Sequence, residues 1–234
     1  MTYSTTAREP RQIDTVLFDL DGTLVDTLSD IEEVVNRALG EYRLPALTRS
    51  EVSDRVGEGG TALVEASIRK TRRDHDPELV ARVYQAYLAG YARQPAARAR
   101  LYPGAEAVLR RLRAAGVRVA LCTNKSRHVT APLLVALGLD TCFDAVVTGD
   151  GPERRKPAPD PLLSALRLVG GSSALMVGDS VYDLRAAQAA GMPVAWVRFG
   201  YGTHHGAAPP DLELDGLDDL ETAAHAAGLH VRPA

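Results

Sequence analysis

The sequence predicts an α/β protein with a doubly wound parallel sheet and a helical domain inserted after the first strand. Two observations predict the sheet: short apolar runs recur along the chain, and amphipathic helical patterns separate them. A third observation predicts the insertion, because one long stretch has helical patterns and no strand-like run. We therefore expect a catalytic core of residues 1–26 and 95–234 and a helical cap domain of residues 27–94.

Five apolar runs have the length of buried parallel strands, and each ends in polar or turn residues. They are IDTVLFDL (13–20), VRVALCTN (117–124), DAVVTGD (144–150), ALMVGD (174–179) and PVAWVRF (193–199). The helical patterns between them predict right-handed crossovers with helices on both faces of the sheet. The acidic stretch 211–221 is interpreted as a solvated end of this core.

The inserted stretch keeps helix spacing throughout. Its apolar positions are Ile31, Val34, Val35, Ala38 and Leu39, then Leu63, Val64 and Ile68, then Leu79, Val80, Val83, Tyr84, Tyr87, Leu88 and Tyr91. A helical block of this size is too long for an ordinary crossover between two strands. The segments that join it to the core are 26–27 and 94–103.

The composition indicates that the substrate is a compact molecule. The 234 residues include 27 basic and 30 acidic side chains, a formal charge of -3, which gives no broad patch for nucleic acid or an anionic membrane. No run approaches the roughly 18 apolar residues of a membrane span, and the polar N-terminus lacks an apolar signal region. Cys122 and Cys142 form no CxxC pair and are interpreted as reduced packing residues. We expect a cytoplasmic protein, monomeric or homodimeric, with a small-molecule substrate.

Ligands of doubly wound sheets bind beyond the carboxyl ends of the strands. The polar residues that follow the predicted strands are Asp19, Asp21 and Gly22, then Thr123 and Asn124, then Asp179 and Asp183, with Lys156 in a loop between. Four carboxylates, one ammonium and one hydroxyl would therefore converge on one crevice. Such carboxylates repel one another, and a bound cation is the simplest means of keeping them ionised together.

Oxygen ligands of this kind favour Mg²⁺, which prefers one or two carboxylates, waters and a phosphate oxygen. Asp19 and Asp179 suit that set if the substrate supplies a phosphoryl group. Transfer of this group needs positive charge over its oxygens, which Lys156 and backbone amides near Gly22 and Asn124 can supply. With Asp19 and Asp21 only two positions apart, one could attack while the other handles the proton.

Lysine usage singles out two positions. The chain has three lysines against 24 arginines, so arginine is its usual base. Lys156 follows two arginines, and Lys125 follows Asn124 directly. A lysine at such a place suggests a need for a compact point charge in place of a planar fork.

Four ordered motifs carry a resemblance to a known superfamily. LFDLDGTLVDT (17–27), LCTNKS (121–126), RRKPAPDP (154–161) and VGDSVYD (177–183) resemble the motifs of the haloacid dehalogenase (HAD) superfamily. More narrowly, YPGAEAVLRRLRAAGVRVALCTNKS, LLSALRLVG, AAQAAGMPV and RFGYGTH are similar to the bacterial phosphoglycolate phosphatase group. The resemblance covers the core nearly end to end and implies a HAD-like Rossmannoid core with a movable helical cap after the first motif.

The resemblance also implies a role for each matching residue. Asp19 would be the nucleophile that becomes an aspartyl-phosphate and would also bind Mg²⁺. Asp21 would act as general acid and then as general base, with its backbone carbonyl on the metal. Thr123 and Asn124 would hold phosphate oxygens. The remaining roles are Lys156 for neutralising nucleophile and phosphate, Asp179 as a direct Mg²⁺ ligand, and Asp183 as an outer-shell group.

Substrate choice is expected to depend on the cap loop RVGEGGTALV (55–64). Gly57, Gly59 and Gly60 would let the backbone approach a ligand closely, and Arg55 is the nearest base for a substrate carboxylate. The alternative is that these glycines only form a turn inside the cap.

The sequence thus predicts a Mg²⁺-dependent phosphatase of small phosphate monoesters, with 2-phosphoglycolate as the first candidate substrate. Two alternatives share the fold: a β-phosphoglucomutase-like phosphotransferase, and a phosphatase of another small metabolite such as a sugar phosphate or pyrophosphate. A phospho-acceptor signalling domain would also form an aspartyl-phosphate on a doubly wound sheet. The inserted cap and Asp21 disfavour that last class.

Overall fold

The computed structural model describes residues 11–71, 76–204 and 206–233. The strands are β1 (Arg11–Ile13), β2 (Thr15–Phe18), β3 (Val25–Asp26), β4 (Arg100–Leu101), β5 (Arg118–Cys122), β6 (Ala145–Val147), β7 (Ala174–Gly178), β8 (Val194–Val197), β9 (Leu212–Leu214) and β10 (Leu229–Val231). The α-helices are α1 (Leu28–Glu41), α2 (Arg49–Ser53), α3 (Gly60–Lys70), α4 (Pro77–Arg93), α5 (Ala105–Ala114), α6 (Arg127–Ala136), α7 (Asp160–Leu168), α8 (Val181–Ala189) and α9 (Leu220–Ala226). Short 3-10 helices cover Val56–Glu58 and Leu217–Asp219.

The central sheet has six parallel strands in the order β6-β5-β2-β7-β8-β9. Its centre is β2, in which Phe18 lies opposite Leu121 of β5 and Val177 of β7. The chain first builds one side of β2 with β5 and β6 and then crosses to build the other side with β7, β8 and β9. This order confirms the predicted doubly wound parallel sheet.

Alternate residues of β2 pack on opposite faces of the sheet, as the two-residue period of a strand requires. Val16 and Phe18 belong to a hydrophobic cluster with residues of α5 and α9, whereas Leu17 packs with residues of α7 and α8. Helices therefore cover both faces, which explains why the strand runs are apolar without alternation.

Two parts of the core differ from the sequence-based expectation. The run 13–20 forms two strands, because the buried Asp14 interrupts it and accepts hydrogen bonds from the amide and hydroxyl of Ser172. The stretch 211–221 is more than a solvated end, since its leucines are buried. Leu212 and Leu214 face inward on the edge strand β9, while the acidic residue between them is exposed. The interpretation missed the leucines because their acidic neighbours dominate the composition.

The described residues between β3 and β4 form helices and no strand. Residues of α1–α4 make a hydrophobic cluster of their own, to which α6 adds Val129. The joining strands β3 and β4 pair antiparallel, with Val25 opposite Leu101. The helical insertion agrees with the sequence, while its behaviour as a separate cap domain and its boundaries at residues 27 and 94 stay predictions.

Two further observations concern the cysteines and the possibility of a membrane-spanning helix. Cys122 and Cys142 are free thiols, the first of them buried. No helix within the described ranges combines the length and apolarity that a membrane crossing needs. Residues 1–10 of the predicted core lie outside the described residues.

Candidate active site

Asp19 lies at the carboxyl end of the central strand, where β2 leaves the sheet. Its carboxylate is buried, and Oδ1 lies 2.9 Å from the Nζ atom of Lys156. That ammonium also bonds to Asp183 Oδ1 at 2.6 Å and to the carbonyl oxygen of Cys122 at 2.7 Å. The structure thus brings together the predicted nucleophile and the predicted neutralising lysine.

Asp183 is held in place by the start of α8. Ser180 and Asp183 form a capping box, in which Asp183 Oδ2 accepts from the Ser180 amide at 3.0 Å and from its hydroxyl at 2.6 Å. The cap uses only one carboxylate oxygen, so the other remains available to Lys156. Asp183 therefore positions the lysine that faces Asp19.

Asp179 follows β7, the neighbour of β2. Its Oδ2 accepts from the backbone amides of Tyr201 at 2.8 Å and Gly202 at 3.2 Å, and its Oδ1 accepts from the Thr23 hydroxyl at 3.2 Å. Gly22 has a φ of +83°, and a Cβ atom there would lie 2.3 Å from Asp179 Oδ2. Glycine is therefore required at position 22 both for its conformation and for this close approach.

The buried carboxylates outnumber the ammonium beside them. Burial is the main cause that raises the pKa of Asp19 to about 7, with Lys156 opposing it and Asp183 adding to it. Burial also raises the pKa of Asp179 to about 8, and the charges of Asp19 and Asp183 add to this. For Lys156, burial opposes the charged form, but Asp183 and Asp19 outweigh it and raise the pKa of the ammonium. A bound cation would therefore stabilise these buried carboxylates in their ionised forms.

The donor set fits a divalent metal ion. Carboxylate oxygens of Asp19, Asp179 and Asp183 lie within 4.8 Å of one another, and all three residues are buried. The buried carboxylate of Asp19 faces the ammonium of Lys156, which Asp183 shares. Hard divalent cations prefer oxygen ligands of this kind. These residues could therefore hold a metal ion, whereas the predicted contribution of the Asp21 carbonyl stays a prediction.

Asp21 belongs to a second ion pair, which sequence analysis did not predict. Lys125 Nζ lies 2.9 and 3.0 Å from its two carboxylate oxygens, with side-chain exposures of 5% and 8% for the lysine and the aspartate. The Thr27 hydroxyl donates to Asp21 Oδ1 at 2.5 Å, and the ring of Tyr91 lies 5.3 Å from the ammonium. The rarity of lysine had singled out Lys125, but no sequence signal identified Asp21 as its partner.

The residues predicted to bind phosphate divide into two groups. The backbone amides of Leu20, Asp21 and Asn124 donate to no acceptor among the described residues, so they could bind an anion. The amide of Gly22 instead donates to the Val25 carbonyl at 2.9 Å. Gly22 itself therefore has no free amide for phosphate: the turn uses that amide, and Gly22 serves the approach to Asp179.

The side chains of Thr123 and Asn124 already have partners. Thr123 Oγ1 accepts from the Lys125 amide at 3.2 Å, which leaves its hydroxyl hydrogen for another acceptor. Asn124 Nδ2 donates to the carbonyl oxygens of Lys156 and Gly57, both at 2.8 Å, and Asn124 Oδ1 accepts from the Lys156 amide at 3.0 Å. Asn124 thus joins the lysine loop to the cap segment above it. Its predicted contact to phosphate is placed on its backbone amide.

A cavity of about 250 Å³ lies between the helical insertion and the sheet. Its wall consists of Ser53, Asp54, Val56 and Gly57 from the insertion, with Asp21, Asp179, Ser180, Val181, Tyr182, Tyr201, Gly202 and Thr203 from the core. Arg55 is absent from that lining, and its guanidinium donates to the Glu51 carbonyl at 3.0 Å. The structure therefore does not bring Arg55 to the site.

The fold and this site define an α/β enzyme with a carboxylate-rich active centre at the carboxyl ends of its parallel strands. The chain belongs to the haloacid dehalogenase-like hydrolases, whose family model matches residues 16–197. This membership confirms the superfamily resemblance of the four motifs.

Named relatives extend the likeness beyond the family model. The chain is 37% identical over 209 residues to a phosphoglycolate phosphatase of Cereibacter sphaeroides, covering 86% of this chain and 96% of the relative. It is 42% identical over 192 residues to a phosphoglycolate phosphatase of Rhodospirillum rubrum, covering 80% of each chain.

Solved structures show the same fold. A predicted phosphoglycolate phosphatase from Haemophilus somnus matches with a TM-score of 0.80 and 28% identity, covering 89% of this chain and 96% of that one. A CbbY variant from Rhodobacter sphaeroides, in complex with xylulose-(1,5)bisphosphate, matches with a TM-score of 0.78 and 26% identity, with coverage of 89% and 96%.

Proposed function

We propose that this enzyme is a magnesium-dependent phosphatase that hydrolyses small phosphate monoesters, with 2-phosphoglycolate as its leading substrate. The observation that carries the proposal is the pair of carboxylates at the end of β2. Asp19 faces Lys156 at 2.9 Å, whereas Asp21 faces Lys125 at 2.9 Å, so the two acids have separate environments. Separate environments suit separate chemical roles.

In the first step, an Asp19 carboxylate oxygen attacks phosphorus and the bond from phosphorus to the ester oxygen breaks. Asp21, in its protonated form, gives its proton to the departing oxygen, so that an alcohol leaves. Lys156 offsets the charge on Asp19, and the free amides of Leu20, Asp21 and Asn124 can bind the equatorial phosphoryl oxygens. The product is an aspartyl-phosphate on Asp19.

In the second step, water attacks the phosphorus of that intermediate and the bond to Asp19 breaks. Asp21, now a carboxylate, takes a proton from the attacking water, which returns both acids to their starting forms. The contact with the Lys125 ammonium suits the carboxylate form of Asp21 that this second step requires.

Asp19 and Asp179 would hold Mg²⁺, with Asp183 as an outer-shell group that also orients Lys156. When bound, Mg²⁺ would supply positive charge beside the transferred phosphoryl group. The excess of buried carboxylate over ammonium in this group supports that requirement.

The positive charge of Lys125 beside Asp21 supports a substrate with a small anionic leaving group. A void of about 10 Å³ lies beside Asp21 and Lys125, closed by Gly59, Gly60 and Tyr87 of the helical insertion. Since Asp21 would contact the leaving oxygen, the carboxylate of glycolate, one methylene group away, would lie near the ammonium of Lys125. The names of the relatives at 37% and 42% identity support the same substrate.

A second candidate substrate is a sugar phosphate. The larger cavity beside Asp21 has the hydroxyl-bearing residues Ser53, Ser180, Tyr182, Tyr201 and Thr203 in its wall, and no lysine or arginine contributes to its described lining. Such a wall suits a neutral polyhydroxy leaving group. The xylulose bisphosphate complex of the CbbY variant supports this alternative.

The deciding experiment measures phosphate release from 2-phosphoglycolate, hexose and pentose phosphates, phosphoserine, pyrophosphate and a nucleotide, with Mg²⁺ or with a chelator. We expect the highest kcat/KM for 2-phosphoglycolate and no turnover in the chelator. A higher kcat/KM for a sugar phosphate would replace the leading substrate by the second candidate. Conversion of a hexose phosphate to its isomer without phosphate release would instead identify a mutase, and a stable phosphoprotein would identify a phospho-acceptor domain.

We also propose a cytoplasmic location, which the free thiols of Cys122 and Cys142 support, because cysteines remain reduced there. The choice between monomer and homodimer stays a prediction.

A further inference from the structure

We propose that Tyr201 is a positioning residue that couples the start of the helical insertion to both acids of the active site. This inference rests on the proposed phosphatase function. Tyr201 belongs to the segment RFGYGTH, which follows β8 and contains none of the predicted catalytic residues. Its backbone and its side chain bond to two different parts of the site.

The Tyr201 hydroxyl takes the place of a helix cap for α1. It accepts from the backbone amides of Thr27 at 2.6 Å and Leu28 at 3.1 Å, and it donates to Asp26 Oδ1 at 2.6 Å. These amides lie at the first turn of α1, where backbone donors lack partners within the helix. A residue of the core thus caps the first helix of the insertion.

The Thr27 hydroxyl contacts the active site and not its own helix. Threonine at an N-cap normally turns its hydroxyl to the amides of its own helix. Here Thr27 occupies the N-cap of α1 but makes no such bond, and its hydroxyl donates to Asp21 Oδ1 at 2.5 Å. Because Tyr201 holds the backbone amide of Thr27, it also fixes where the Thr27 hydroxyl meets the Asp21 carboxylate.

The backbone of Tyr201 contacts the other half of the site. Its amide donates to Asp179 Oδ2 at 2.8 Å. A Cβ atom at Gly200 would lie 2.2 Å from Asp179 Cβ, and one at Gly202 would lie 2.3 Å from the Asp179 carbonyl oxygen. The two glycines are therefore needed for the loop to lie against Asp179, and they fix where Tyr201 stands.

The test is a double-mutant cycle of Tyr201→Phe and Thr27→Val in the full chain, measured by kcat, KM and thermal unfolding. In Tyr201→Phe, the Thr27 amide loses its partner, so we expect the Thr27 hydroxyl to lose its fixed place beside Asp21, which lowers kcat about 10- to 100-fold with little change in KM. Thr27→Val should lower kcat comparably, and the double variant should match Tyr201→Phe, because the same contact to Asp21 is already lost. Thr27→Ser, which keeps the hydroxyl, should restore kcat.

Stability should couple in the same direction. The bond between Thr27 and Asp21 is already lost in Tyr201→Phe, so the loss of melting temperature in the double variant should be smaller than the sum of the two single losses. Tyr42→Phe is the matched control, because the Tyr42 hydroxyl only bonds to the Arg82 carbonyl at 3.4 Å, and it should leave kcat unchanged. If Tyr201→Phe does not fold, Asp26→Asn weakens the same hydroxyl contact and replaces it in the cycle.

Effects on kcat that multiply between the two positions would overturn the proposal, as would an unchanged kcat in Tyr201→Phe. If the wild-type chain releases no phosphate from any ester in Mg²⁺, the proposed function fails, and the unfolding cycle still decides the coupling. In that case, losses of melting temperature that add between positions 27 and 201 would overturn the proposed coupling.

Discussion

The two buried ion pairs of the active site are built from different parts of the molecule. Within the described residues, the ammonium of Lys156 bonds to Asp19, Asp183 and the Cys122 carbonyl, all of which belong to the core. In the other pair, Thr27 at the joining segment bonds to Asp21, and Tyr91 on α4 of the helical insertion contacts Lys125. The nucleophile is therefore fixed by the core alone, whereas the acid–base residue is also held by the segment that joins core and insertion and by the insertion itself.

The largest expected effect comes from the core pair. Asp19→Asn keeps the shape of the side chain but removes the attacking carboxylate, so we expect kcat to fall by about 10⁴-fold or more. The measurement is phosphate release in Mg²⁺, together with thermal unfolding to show that the variant is folded. Turnover close to wild type in a folded variant would contradict the assignment of Asp19 as nucleophile.

Lys156→Met tests the charge that faces the nucleophile. We expect kcat to fall by about 10³-fold, because the transferred phosphoryl group loses its fixed cation. Lys156→Arg should restore little, since the ammonium fits between Asp19, Asp183 and the Cys122 carbonyl, where a planar guanidinium has a different shape. Full activity of the arginine variant would show that only charge matters here.

Lys125→Met tests the other pair. Asp21 is 8% exposed and would lose its counter-charge, so we expect kcat to fall by about 10- to 100-fold, within the usual range for general acid–base catalysis. The decrease should be smaller than that of Lys156→Met measured with the same ester. A larger decrease for Lys125→Met would reverse the comparison between the two pairs.

The core pair could be predicted from sequence because strand ends in a parallel sheet converge on one edge. Asp19 and Asp179 follow neighbouring strands, so their meeting requires only the strand order. The surroundings of the pair of Asp21 and Lys125 depend on contacts that no local pattern encodes. One is the hydrogen bond between Thr27 and Tyr201, which are 174 positions apart. Helix spacing likewise identified Tyr91 as apolar in the insertion but could not identify Lys125 as its neighbour.

Stability should depend on pH through the core carboxylates. The pKa values of Asp19, about 7, and Asp179, about 8, exceed the ordinary 3.8 of an aspartate, so the folded protein holds more protons than the unfolded chain between pH 4 and 8. The free energy of unfolding of the metal-free protein should therefore fall as pH rises through this window. Mg²⁺ should raise the melting temperature more at pH 8 than at pH 5, and Asp179→Asn should flatten the metal-free profile. A metal-free profile that rises over this range would contradict the raised pKa values.

The smallest effect is expected at Arg55, which sequence analysis proposed as the selector of a substrate carboxylate. Its guanidinium bonds to the Glu51 carbonyl within the insertion, while Lys125 provides the cation beside Asp21. Arg55→Ala should therefore change the ratio of kcat/KM between 2-phosphoglycolate and an uncharged phosphate ester by less than about twofold, because it removes no contact to the site. Lys125→Met should lower that ratio, since the carboxylate would lose its nearest charge. A large change of the ratio in Arg55→Ala alone would show that the insertion moves Arg55 onto the substrate, and the helical insertion would then select the leaving group by its own charge.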